Sequence, residues 1–187
     1  MTGADGQAAR VRAVAAFDLA LARWLTLPGT VYPSQVLDED QWKAKLEDLA
    51  LRCQVTAVEA FTWARTFHDI ASGKDGFTVL GGYPPLNQLP LMQAARFVAN
   101  KGIHVMAQFS EVTTVPTIGG YARGPYGGGM HATIFRWVDE DSLPPITPRE
   151  DLALRAACCG RWAAKPPTPG SPVVTALREV EDWIHRW

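Results

Sequence analysis

His68, followed directly by Asp69, is the first pair in the chain that could move a proton, since a carboxylate beside an imidazole can hold it in one tautomer. The local pattern around them is helical, however, and adjacent residues on a helix point about 100° apart, so the two cannot form a dyad on their own. A histidine in the last turn of a helix also gains from the dipole, which is a sufficient structural reason for its position. His104 and His131 fall in two segments that read as strands, and if those strands pair, the two rings share a face. A metal would need two further ligands, and no C-x-x-C or H-x-x-x-H spacing occurs, so neither a metal nor a cofactor is expected. His68 and His131 remain the candidates for catalysis.

The segment Gly119–Gly129 carries the most unusual chemistry: six of its eleven residues are glycine, with Tyr121, Arg123 and Tyr126 set between them. Glycines let backbone N–H groups approach a ligand, Arg123 adds a charge, and His131 stands at the base of the segment. No Gly-Lys-Ser/Thr ending follows, and a strand rather than a helix is expected after it, so the segment is neither a P-loop nor a dinucleotide fingerprint. Tyrosine and arginine on a pliant backbone can stack on bases, and they are also the residue types that dominate protein interfaces. Tyr121, Arg123, Tyr126 and His131 are therefore the expected binding residues. Neither a serine nucleophile elbow nor a catalytic-cysteine context is present.

The partner class is narrowed by charge. Eighteen basic residues offset nineteen acidic ones, for a net charge of −1, and no basic run occurs. This favours a protein partner or self-association over nucleic acid, which needs a concentrated positive face. The apolar N-terminal segment is interrupted by Asp18 and Arg23 and has no cleavage-site pattern, so it does not read as a secretory signal, and no segment is apolar enough for a membrane span. Cys53 and the adjacent pair Cys158 and Cys159 make an odd count with poor bridging geometry. Reduced thiols in a cytoplasmic protein follow from that.

The elements that would position these residues can be read in order. A helix is expected from about Gln7 to Leu25, its stripe made of Val11, Val14, Leu21 and Leu25, with Phe17 and Trp24 beside it. Asp38 can cap a second helix, and Thr56-Ala-Val-Glu59 spells a capping box that would start a third, from about Ala57 to Ala71. Phe77–Leu80 reads as a strand, a helix from Asn87 to about Asn100 follows, Gly102 suits the left-handed position after it, and Ile103–Val112 reads as a strand. Strand, helix and strand in that order suggest a parallel crossover. Val115–Ile118 and Met130–Val138 would flank the glycine-rich segment as a hairpin. Thr147-Pro-Arg-Glu150 is a further capping box, for a helix to about Trp162. A Pro-rich linker then leads to a last helix with the stripe Val173, Leu177, Val180, Ile184 and Trp187, a face that should dock.

The 187 residues, 47% hydrophobic and 20% charged, suit a single domain. The expected fold is α+β: a small mixed sheet of three to four strands carrying a glycine-rich hairpin and packed by five to six helices, with the C-terminal helix at 171–187. The expected function is a binding or assembly module, a homo-oligomer or a subunit of a larger complex. The alternative is a small-molecule enzyme with a pocket walled by the glycine-rich segment, and a nucleic-acid role comes third. The first two differ in one observable: an enzyme presents an enclosed pocket of convergent polar groups, and a module presents exposed apolar surface.

Overall fold

The computed structural model describes residues 3–27, 30–31, 39–102, 105–107, 110–116, 131–142, 149–163, 165 and 170–187. Within them lie five long helices: α1 (Gly3–Leu25), α2 (Glu39–Ala71), α3 (Pro90–Lys101), α4 (Arg149–Trp162) and α5 (Val173–Ile184). Three strands accompany them: β1 (Thr30–Val31), β2 (Ser110–Pro116) and β3 (His131–Trp137).

The α+β expectation is corrected here: the chain is mostly helical, and the mixed sheet with its parallel crossover does not form. The strands present pair antiparallel in the order β1-β3-β2, and β1 is two residues long. Phe77–Leu80 is not a strand; Leu80 instead donates its N–H to the Ala71 carbonyl, closing the chain back on the end of α2. Val105–Ala107 is helical, and Val105 and Met106 are both buried, which alternation along a strand would not allow. Short β-prone runs were the weak signal here, because a run of four residues also fits a buried turn.

α2 is a second correction, being one helix of 33 residues rather than two. No glycine or proline interrupts residues 39–71, and the capping box is not used as one. The Thr56 hydroxyl donates to the Arg52 carbonyl one turn back, and Glu59 reaches across to Arg23 of α1. Side chains at Cys53, Ala57, Ala60, Phe61, Ala64, Phe67, His68 and Ala71 form one continuous buried face. Continuity of that face outweighs the local cap, since most helical stability comes from tertiary packing. The helix stops at Gly73, whose φ of 79° is left-handed and whose missing Cβ would sit 2.6 Å from the Val79 side chain.

α1 and α2 pack as an antiparallel pair, with the Trp24 indole N–H donating to the Cys53 carbonyl at 3.1 Å. α3 packs on both α2 and α4. β3 presents Phe135 and Trp137 to the helices; Trp137 stacks on Trp162 at 5.2 Å between ring centroids, and Phe61 abuts both. Gly102 follows α3 with a positive φ of 59°, but its ψ of −140° is not the left-handed helical conformation expected there. α5 docks as expected, through Val173, Leu177, Val180 and Ile184. Trp187 lies beyond α5 and is exposed, stacking at its edge on Tyr83. Among the described residues, no helix is long and apolar enough to cross a membrane.

Candidate functional site

The end of α2 and the turn after it build the first candidate. His68 is buried, and its Nδ1 lies 2.9 Å from the Tyr83 hydroxyl, in hydrogen-bonding contact. Tyr83 is held in turn by the edges of Phe67, Trp183 and Trp187. Burial pushes the His68 pKa below its ordinary value; Asp69 opposes that shift, and Arg96 and Lys74 add to it. Burial also raises the Tyr83 phenol, helped by the Asp69 charge. Asp69 points away from His68 chemistry and toward cations: Arg96 at 2.9 Å, Lys74 at 3.3 Å and Arg65 at 3.5 Å. Geometry thus agrees with the sequence reading that the two neighbours form no dyad.

These groups border an open cleft of about 640 Å³, which Val79, Pro84, Pro85 and Leu86 also line. Chemically it offers a neutral imidazole already occupied by a phenol and a carboxylate neutralised by three cations. This arrangement ties α2, α3 and the chain's last turn together, and it leaves no activated nucleophile or free base among the described residues lining the cleft.

The other expected site residues separate from it. His131 opens β3, its backbone opposite Pro116 and Val31. Tyr121, Arg123, Tyr126 and His104 lie outside the described residues. Cys53, Cys158 and Cys159 are all buried and unbridged. Burial raises the Cys53 thiol to about 11 and Cys159 to about 12, the latter with help from Glu140, and Cys158 is raised as well, so all three are protonated and unreactive at neutral pH.

Among the described residues, one three-residue group has metal-ligand types: Asp18 on α1 with Glu181 and His185 at the end of α5, donor atoms within 4.8 Å of one another. Each is already engaged, His185 Nε2 with Asp18 at 2.9 Å and Glu181 with Arg178 at 2.6 Å. They read as the polar clasp between the first and last helices.

The feature that sequence reasoning missed is the outer face of α1. Ala13, Phe17, Ala20, Leu21 and Trp24 are buried toward α2, and the opposite face carries Ala4, Ala8, Val11, Ala15, Leu19, Ala22 and, one residue past the helix, Thr26, all exposed. Val11 is 62% and Leu19 61% exposed, so two of these residues are large and wet. Thr26 donates its hydroxyl to the Arg23 carbonyl. Spacings of four and three residues keep the set within an arc of roughly 80° along the helix. Charged Arg12, Asp18 and Arg23 stand only at its flanks. The expected stripe of Val11, Val14, Leu21 and Leu25 is corrected accordingly: of these, Leu21 alone is fully buried. The outer face of α2 also exposes Leu51 and Val55, but polar residues interleave them: Thr62 and Thr66 back-bond to carbonyls there and Asp48 pairs with Arg52.

No protein-family model, curated protein or solved structure matches this chain.

Proposed function

We propose that this protein is a binding or assembly module, a subunit of a larger protein complex, that docks through the outer face of α1. The observation that carries the reading is the uninterrupted exposed apolar stripe from Ala4 to Ala22, about 27 Å long at 1.5 Å per residue. A surface helix normally turns its polar side to water, and a helix apolar on both faces is normally covered on both. Burying the exposed part of Val11 and Leu19 contributes about 1–2 kcal/mol each at roughly 25 cal/mol per Å². The enzyme reading has less support, because the clefts are open and His68 and Asp69 are satisfied within the fold. The hairpin tip is a second proposed contact: residues 117–130 join the paired ends Pro116 and His131, and Tyr121, Arg123 and Tyr126 would supply contact area and a charge-assisted bond. A cytoplasmic location is part of the proposal, supported by three buried, unbridged thiols.

Native mass spectrometry of the protein taken from its own host tests this. The wild type is expected in a stoichiometric complex above the 20.4 kDa of one chain. Val11→Glu with Leu19→Glu should weaken that complex at least about a hundredfold, since each leaves an unpaired carboxylate in a dry contact. Both positions are exposed, so melting should barely change. A wild type found only as the free chain, or a complex that survives the double variant, sinks the proposal. The same measurement on the variant with Tyr121, Arg123 and Tyr126 all replaced by alanine tests the tip: an unchanged complex removes it from the contact.

A further inference from the structure

The stripe on α1 reads nearly the same in both directions. Val11 and Leu19 stand four residues either side of Ala15, and Ala8 and Ala22 stand seven either side. We infer that the partner on this face is a second copy of the chain, its α1 antiparallel to the first, with the two-fold axis passing at Ala15. This rests on the docking role proposed above and names the occupant. In that arrangement Ala15 meets Ala15 of the other copy, each Val11 meets a Leu19, and each Ala8 meets an Ala22. A two-fold contact must be self-complementary, and a palindromic stripe is the sequence form of that requirement on a helix.

Three further observations fit. Bulk is distributed so that the two large residues face each other off-centre and the centre holds only alanine, which lets the axes approach to the short end of the usual 8–10 Å range. The spacing from Ala4 to Ala15 and from Ala15 to Thr26 is eleven residues, or 3.67 per turn over three turns, so the stripe stays on one face for the whole helix with only a slight right-handed drift. Charge is complementary at the rim: Asp5 and Arg23 are eighteen residues apart, five full turns, and lie on the same flank. The two-fold axis brings Arg23 of each copy within about one turn of Asp5 of the other, where Arg23 is also paired with Glu59 of its own α2.

Cysteine crosslinking of the full chain tests the register. The native thiols are buried and give no background. Ala15→Cys should form an intermolecular disulfide readily under mild oxidation, because facing Cα atoms at close axial approach fall within bridging distance. Ala8→Cys alone and Ala22→Cys alone should not, since each sits about 21 Å along the axis from its own copy. A mixture of the Ala8→Cys and Ala22→Cys proteins should crosslink. An Ala15→Cys protein that remains a single chain, or an Ala8→Cys protein that crosslinks to itself equally well, overturns the arrangement. Should that happen while the Val11→Glu, Leu19→Glu variant still loses a different stoichiometric protein, docking through α1 stands and the second copy falls. If the double variant loses nothing, both fall.

Discussion

Replacing His68 by glutamine should flatten the acid side of the protein's stability curve. In the folded state the imidazole is buried, with Tyr83 at its Nδ1, Arg96 and Lys74 opposing its charge and Asp69 favouring it. Its folded pKa therefore lies below the unfolded value of about 6.5. As pH falls through that unfolded value, the unfolded chain takes up a proton that the folded chain refuses. Stability is then lost by up to about 1.4 kcal/mol per pH unit until the folded pKa is reached. By pH 5.5 the wild type should therefore have lost stability that the variant keeps, by an amount set by how far burial lowers the folded pKa. Glutamine keeps an amide near the Tyr83 hydroxyl and does not titrate, whereas Asp69, Arg96 and Lys74 act in both proteins. Urea unfolding at pH 8, 7, 6.5, 6 and 5.5 gives the two curves. The difference between wild type and variant should be constant above about pH 7.5 and should shrink steadily below 6.5. Parallel curves across the whole range would mean that His68 titrates alike folded and unfolded, and the burial argument would be wrong.

Two other outcomes check the fold. Thr56→Ala should leave stability unchanged or raise it by a few tenths of a kcal/mol, because Thr56 is interior to α2 and alanine is the better helix former; a loss near 1 kcal/mol in the same urea assay would reveal a working N-cap and a helix break. With no reductant present, a thiol reagent at pH 8 should leave the native protein nearly unmodified and titrate all three cysteines after denaturation, and fewer than three in the denatured chain would reveal a disulfide.

Where the sequence carried a phase as well as a period, it was readable. The last helix has one apolar stripe between charged neighbours, so its docked face of Val173, Leu177, Val180 and Ile184 could be named in advance. α1 has the period without the phase. It is apolar on both sides, so its spacing cannot tell Phe17 and Trp24, which face α2, from Val11 and Leu19, which face water. Aromatic character was the usable signal, since Phe17 and Trp24 went inward, whereas alanines stand on both faces, Ala13 and Ala20 buried and Ala4, Ala8, Ala15 and Ala22 exposed. α2 failed for a different reason: Thr56 and Glu59 form a legitimate capping box, and only the unbroken buried face from Cys53 to Ala71 shows that the helix runs through it. The His68 site was half legible. Its helical neighbour could be dismissed as a partner, but Tyr83, fifteen residues on, enters only because the turn at Gly73 folds the chain back.

The most direct test of the docking role needs no variant. Carbene or hydroxyl-radical labelling of the protein in the state isolated from its host reads side-chain exposure residue by residue. Leu51 and Val55 on α2 are each 53% exposed and serve as internal controls against Val11 and Leu19 on α1. The account predicts that Val11 and Leu19 are protected in the assembled protein and become labelled on dilution or dissociation, while Leu51 and Val55 label equally in both states. Equal, concentration-independent labelling of all four would contradict it.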